Sequence, residues 1–152
     1  MVVDQSWYGC VVPRDLLYDV DNNVWVRVEG DEIVVGMTDV AQTMCGKFVQ
    51  LTWKPPGRTI QRGKSLAIVE SAKWVGPFPA PLTSEIVANN QAGFDADILA
   101  ANKEPYGAGW LYRLRPTNLA AERDSLVDGD VAFERYKAFI EANEIRCFRC
   151  AD

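Results

Sequence analysis

Ser65-Leu66-Ala67-Ile68-Val69-Glu70-Ser71-Ala72-Lys73-Trp74, followed by Ala80-Pro81 and then by Ser84-Glu85-Ile86-Val87, is the stretch on which the fold of this chain turns. Leu66 to Val69 form a continuous apolar run of strand length, so 65–69 reads as a strand and 85–88 as a second. The spacing predicts that these two strands are joined by a turn carrying Lys73. Lysine is almost never fully buried without a partner. On spacing alone, Lys73 is an exposed side chain on a turn, which an ordinary solvated lysine satisfies as well as a functional one.

Upstream, Val24-Trp25-Val26-Arg27-Val28 and Ile33-Val34-Val35-Gly36 flank the turn-rich Glu29-Gly30-Asp31-Glu32 and read as a hairpin. Thr38 is placed to cap a two-turn helix over 39–45, with Asp39 at the positive end of its dipole and Gly46 where a left-handed glycine ends such helices. Phe48 to Trp53 alternates in strand fashion until Lys54-Pro55-Pro56-Gly57 breaks it, and Arg62-Gly63-Lys64 marks another turn. Many short strands with Gly and Pro punctuation up to Arg115 predict a mainly β flattened sandwich. After Pro116 the pattern becomes helical. Asn118 is placed to cap a helix over 119–127 and Asp130 a second over 131–143, in which Phe133, Tyr136 and Ile140 share one face and Lys137 and Glu141 pair outside. The expected division is a β unit over 1–116, helices over 117–146 packed on it, and a tail over 147–152, all within a single domain.

The chain has 152 residues, 48% of them apolar, which suits one well-buried domain. Sixteen basic against twenty-one acidic residues give a net charge of −5 without a basic run, so a nucleic-acid surface lacks its electrostatic footprint. Residues 1–10 lack the apolar core of a signal peptide, and no segment approaches the roughly 20 apolar residues of a membrane span; a soluble, cytoplasmic protein is expected. There is no histidine. That removes the simplest routes to catalytic triads and to catalytic zinc. No nucleophile and base pair is evident, so a carrier or binding role is expected in preference to an enzyme.

Glu70-Ser71-x-Lys73 with Ala80-Pro81 and Glu85-Ile86-Val87, Val35-Gly36-Met37-Thr38-Asp39-Val40-Ala41-Gln42 upstream, and Asn102-Lys103-Glu104-Pro105-Tyr106-Gly107-Ala108-Gly109-Trp110-Leu111 downstream resemble the glycine cleavage H proteins and their relatives. The likeness covers most of the chain and places three motifs in order. It implies a lipoyl-domain-like barrel-sandwich hybrid, a non-catalytic carrier, and lipoic acid amide-linked to Lys73 as a swinging arm. The arm's sulfurs would reach on the order of 14 Å from the backbone. The resemblance also implies that Glu70, Ser71, Trp74 and Glu85 serve recognition by a lipoate ligase or lipoyl transferase, or by partners.

The pattern departs from the glycine carriers at informative places. Their Glu-His-Glu-Trp becomes Asn22-Asn23-Val24-Trp25, and the Ala-Ala-Ser-Asp that often follows the lysine becomes Trp74-Val75-Gly76-Pro77. With Gly9-Cys10 and Leu17-Tyr18-Asp19-Val20, this is more similar to the lipoate-binding proteins of the sulfur-oxidising heterodisulfide-reductase-like pathway. That resemblance implies sulfur intermediates as cargo, with heterodisulfide-reductase-like subunits and a dihydrolipoamide dehydrogenase-like protein as partners. The alternatives are the aminomethyl cargo of glycine decarboxylase and aminomethyltransferase, or an unlipoylated binding module of the same fold.

Four cysteines stand at Cys10, Cys45, Cys147 and Cys150. Without a signal peptide, free thiols are expected rather than structural disulfides. Cys147-Phe148-Arg149-Cys150 is a C-x-x-C motif flanked by Arg146 and Arg149, whose charges favour thiolates, so Cys147 and Cys150 are candidate redox thiols; a flexible tail is the plainer reading. A structural zinc would need two further ligands, and Cys10 and Cys45 are unsuitably spaced, so no metal is expected.

Overall fold

The computed structural model describes residues 4–151. Its organising element is the hairpin of β4 (Val24–Glu29) and β5 (Glu32–Met37), in which Glu29 pairs with Glu32 and leaves Gly30-Asp31 as the turn. Gly30 sits at φ 67, a left-handed conformation that costs glycine little. Strand alternation sends Val24, Val26, Val35 and Met37 into one apolar cluster and Trp25 and Val34 into another on the opposite face. The Trp25 indole fills the space over its cross-strand neighbour Gly36, where a Cβ would lie 2.7 Å from the ring.

The hairpin is the centre of a seven-stranded antiparallel sheet. With β3 (Leu17–Asp19), β7 (Thr59–Ile60), β10 (Ser84–Asn89), β11 (Tyr112–Pro116) and β12 (Val127–Asp128), the order is β12-β3-β4-β5-β11-β10-β7. A second sheet, ordered β6 (Phe48–Trp53), β8 (Ser65–Ser71) and β9 (Val75–Pro79), supplies the facing layer. Leu51, Leu66, Val69 and Phe78 from it meet Val26, Val35 and Leu114 in the main core. On the outside, Arg113 and Arg115 ladder across Glu29, Glu32 and Glu85. Hydrogen bonds from Arg113 and then Arg27 hold the Glu29 carboxyl below the ordinary range. Exposed pairs of this kind each contribute at most about 1 kcal/mol. Burying one Leu or Phe side chain contributes roughly 1.5–3 kcal/mol, so the two cores dominate stability.

The strand returning from the Lys73 turn is β9, not the expected 85–88. Pro77 and Pro79 disguise it, yet β9 is an edge strand, and an edge tolerates residues without an amide donor. The expected second arm is β10, which belongs to the other sheet and pairs with β11 and β7.

Helix α1 (Asp39–Cys45) begins and ends as read: Thr38 Oγ1 accepts the Ala41 amide and Gly46 takes φ 75. Two short helices escape the sequence reading, α2 (Gln91–Ala96) and α3 (Ala100–Lys103). The helix expected over 119–127 shrinks to α4 (Leu119–Glu122) and a 3₁₀ turn, Arg123–Ser125. Asn118 makes no side-chain cap, and Val127 leaves to pair with Tyr18. Because β12 runs extended into α5 (Gly129–Ala142), Asp128 rather than Asp130 is the cap, accepting the Val131 amide, while Asp130 pairs with Arg14. Tyr136 and Ile140 are buried and Phe133 packs beside them, so α5 covers the second core as expected. Lys137 pairs with Glu134, not Glu141. No helix among the described residues is long and apolar enough to cross a membrane.

Candidate functional site

The Lys73 turn spans the four residues 71–74 and is held by its first, Ser71. Ser71 N–H donates to the Trp74 carbonyl (2.8 Å) and Trp74 N–H to Ser71 Oγ (3.2 Å), while the Ser71 hydroxyl donates to the Cys45 carbonyl (2.7 Å). Ala72 N–H donates to the Lys47 carbonyl (2.9 Å). The turn is therefore fastened at two points to the chain leaving α1. Ser71 is buried. It shapes the turn from below, and does not present a surface.

Lys73 itself is exposed, and among the described residues nothing pairs with its ammonium. Its methylene stem passes over Gly46, where a Cβ would stand 3.6 Å from Cγ, Cδ and Cε. Gly46 is required there by its left-handed backbone, while at that distance a Cβ would only touch the stem in ordinary contact. Beneath this junction lies Asn102, 1% exposed. Its Nδ2 donates to the Gly46 carbonyl (2.8 Å) and to Gln42 Oε1 (3.2 Å), and its Oδ1 accepts the Phe48 amide (2.9 Å). Sequence reasoning gave Asn102 no role, since its only signal was membership of a motif.

Beside the turn opens a cleft of about 520 Å³ whose lining includes Asp21, Asn22, Asn23, Met37, Met44, Cys45, Trp74, Pro77 and Phe78. Burial pushes the Cys45 thiol up to about 11. Near pH 8 only about one molecule in a thousand carries the thiolate, so this thiol is a weak nucleophile. Trp74, 39% exposed, lays its indole over Gly76, where a Cβ would sit 2.2 Å from the ring. Gly76→Ala is expected to push the indole off this seat into solvent, red-shifting tryptophan emission relative to a Trp74→Phe control, while stability changes by less than about 1 kcal/mol because the displaced ring is already part-exposed. Unchanged emission would show that the glycine does not seat the ring.

The structure thus gathers Glu70, Ser71 and Trp74 around Lys73, with Glu70 exposed at the end of β8. Glu85 lies on the other sheet, ion-paired with Arg115 at 2.9 Å. The cysteine expectation is overturned. Cys147 is bonded to Cys10 across 137 residues, leaving Cys45 and Cys150 as the free thiols. The packing of α5 against β1 (Gln5–Trp7) and β2 (Cys10–Val12) brings the two chain ends together, a proximity that sequence spacing hides. Gly9, at φ 79, passes so close that a Cβ would meet the Cys147 carbonyl at 2.7 Å. Arg146 lies over the Tyr8 ring and Arg149 pairs with Asp39, so both guanidiniums face partners of their own.

The profile of the glycine cleavage H-protein family matches residues 16–141. The chain belongs to this family. It is 41% identical over 144 residues to glycine cleavage system H protein 2 of Aquifex aeolicus, covering 94% of this chain and 89% of that one. To the probable glycine cleavage system H protein 2 of Sulfolobus acidocaldarius it is 39% identical over 152 residues, covering 98% and 99%. The crystal structure of a glycine cleavage system H protein from Mycobacterium marinum superposes with a TM-score of 0.69 at 30% identity, over 88% of this chain and all of that one. Members of the family carry lipoate covalently on a lysine and act as carriers. The barrel-sandwich fold expected from the sequence is the one found.

Proposed function

We propose that Lys73 is the lipoyl attachment point and that the chain works as an H-protein shuttle, carrying an aminomethyl group between glycine decarboxylase and aminomethyltransferase. The observation that carries this reading is the placement of Lys73: exposed, without a partner among the described residues, at the tip of a turn fastened at two points, with its stem over Gly46 and a cleft alongside. The names of the relatives support the glycine partners. A lipoate ligase or lipoyl transferase meets a presented amine, and amide formation removes its charge. Glu70 and Trp74, exposed beside it, are the side chains available for recognition. Once bound, the group supplies thiol–disulfide and thioether chemistry, while the protein supplies presentation.

A second reading, sulfur intermediates handed among heterodisulfide-reductase-like subunits with a dihydrolipoamide dehydrogenase-like partner, is favoured by the cleft. Its lining is rich in polarisable apolar groups, Met37, Met44, Cys45, Trp74 and Phe78, and Asp21 is its one carboxylate among the described residues. Polarisable groups of this kind suit a sulfur adduct by dispersion, although Asp21 also supplies the carboxylate that an ammonium-bearing cargo needs when withdrawn from water. Incubating the lipoylated protein with glycine and glycine decarboxylase, and separately with a sulfane-sulfur donor, then reading intact mass, decides between them. An aminomethyl adduct upholds the first reading. A sulfur adduct alone replaces it with the second, and neither adduct rejects both.

A further inference from the structure

Residues 147–150 form a strap across α1, tied covalently at one place and elsewhere by hydrogen bonds, an ion pair and the Arg149 guanidinium over the Tyr106 ring. Cys147 is bonded to Cys10, and its amide donates to the Tyr8 carbonyl (3.0 Å). Beyond it, Gln42 Nε2 donates to the Phe148 carbonyl (2.9 Å), Arg149 reaches Asp39 (3.4 Å), and the Cys150 amide donates to the Asn102 carbonyl (2.9 Å). Gln42 and Asn102 are also the residues that clamp the Gly46 to Phe48 segment on which the Lys73 turn is fastened. One continuous path of contacts therefore runs from the disulfide through the strap to the turn.

The strap has little else to hold it. The Phe148 side chain contributes little burial, being 63% exposed. Fixing each backbone residue costs about as much as a hydrogen bond returns, so a short segment with so few bonds frays once its covalent tie is opened. The anchor of α1 does not fray with it. Asp39 keeps the Val11 amide and Gln42, and its own amide keeps the Tyr106 hydroxyl.

We propose that the Cys10–Cys147 disulfide is a redox latch that sets the stiffness of the Lys73 turn: closed, the strap pins Gln42 and Asn102; opened by a dithiol, it releases them. The functional consequence rests on Lys73 being the attachment point. In the opening step a thiolate of the dithiol attacks Cys147 Sγ and Cys10 leaves as a thiolate that takes up a proton. The second thiol of the dithiol then displaces Cys147 from the mixed disulfide. The protein's cystine gains two electrons, and the dithiol is oxidised to its own disulfide.

Hydrogen exchange read by mass spectrometry on the full chain, air-oxidised and then treated with dithiothreitol, tests this. Alkylation after denaturation first counts the thiols. Two in the oxidised protein and four after treatment are expected; four in the untreated protein, or two in the treated one, overturn the latch. On reduction, exchange is expected to rise on the order of tenfold in 42–48 and 70–75 as well as in 144–151, with 24–37 unchanged. Cys10→Ser is expected to behave as the reduced wild type. A rise confined to 144–151 overturns the proposal, because the strap then bears on nothing. Loss of protection in 24–37 also overturns it, the bond then being a support for the whole fold. Exchange does not depend on lipoylation, so a latch that responds in a protein that accepts no lipoyl group fails the attachment reading alone.

Discussion

Lys73→Arg, expressed in a lipoate-competent host, is expected to lose entirely the species heavier by one lipoyl group that the wild type shows by intact mass. The substitution is unusually clean. Arginine keeps the positive charge and a stem of similar length that clears Gly46 in the same way, but its guanidinium does not serve as the amine for this amide. The lysine is exposed, and among the described residues nothing pairs with it. Stability should therefore stay within about 0.5 kcal/mol of wild type. Loss of the adduct with an unchanged unfolding midpoint assigns the site to chemistry at Lys73. An adduct that persists in Lys73→Arg would move the attachment elsewhere, Lys47 being the nearest exposed lysine along the fastened segment. A wild type that never gains the mass would make the chain an unlipoylated binding module of the same fold. Either result rejects the proposed carrier on Lys73.

How much of this was legible in the sequence depends on whether the determining interaction was local. The cap at Thr38, the left-handed Gly46 and the Gly30-Asp31 turn are set by residues within a few positions of one another, and each was read correctly. Failures occur where a distant partner decides. Pro77 and Pro79 argue against a strand until β9 is known to lie at a sheet edge. Val127 looks helical until Tyr18 recruits it into the sheet. Cys147 looks like a free thiol of a C-x-x-C with Cys150, yet the packing of α5 on the N-terminal hairpin delivers Cys10 as its disulfide partner. At the site, Lys73 and Trp74 lie exposed on a turn as expected, because a turn is legible from its own local residues. Ser71 was placed among recognition residues and proves to be buried turn structure, since only the fold shows which way its hydroxyl points. Asn102 was invisible for the same reason: a buried amide leaves no periodic or compositional trace.

That amide gives a large stability change for a single polar side chain. Asn102→Ala should lower unfolding stability by roughly 3 kcal/mol. Truncation leaves the Phe48 amide without its acceptor, and the Gly46 carbonyl and Gln42 side chain without their donor. Each buried group left unpaired costs roughly 1–3 kcal/mol, and the sum is reduced where neighbours relax. In denaturant the midpoint should fall with the slope unchanged, because the fold and its buried area are otherwise retained. By heating, the same loss corresponds to a fall of about 6–12 °C for a domain of this size. Asn102→Asp separates the two halves of the clamp. It keeps an acceptor for Phe48 but turns a carboxylate oxygen toward the Gly46 carbonyl and Gln42 Oε1, so it should destabilise at least as much as alanine. If aspartate were tolerated, the acceptor to Phe48 alone would be holding the junction, and the Nδ2 bonds beneath the Lys73 turn would be incidental. A loss below about 1 kcal/mol for alanine would sink the clamp altogether, and with it the physical link through which the strap is argued to reach the turn.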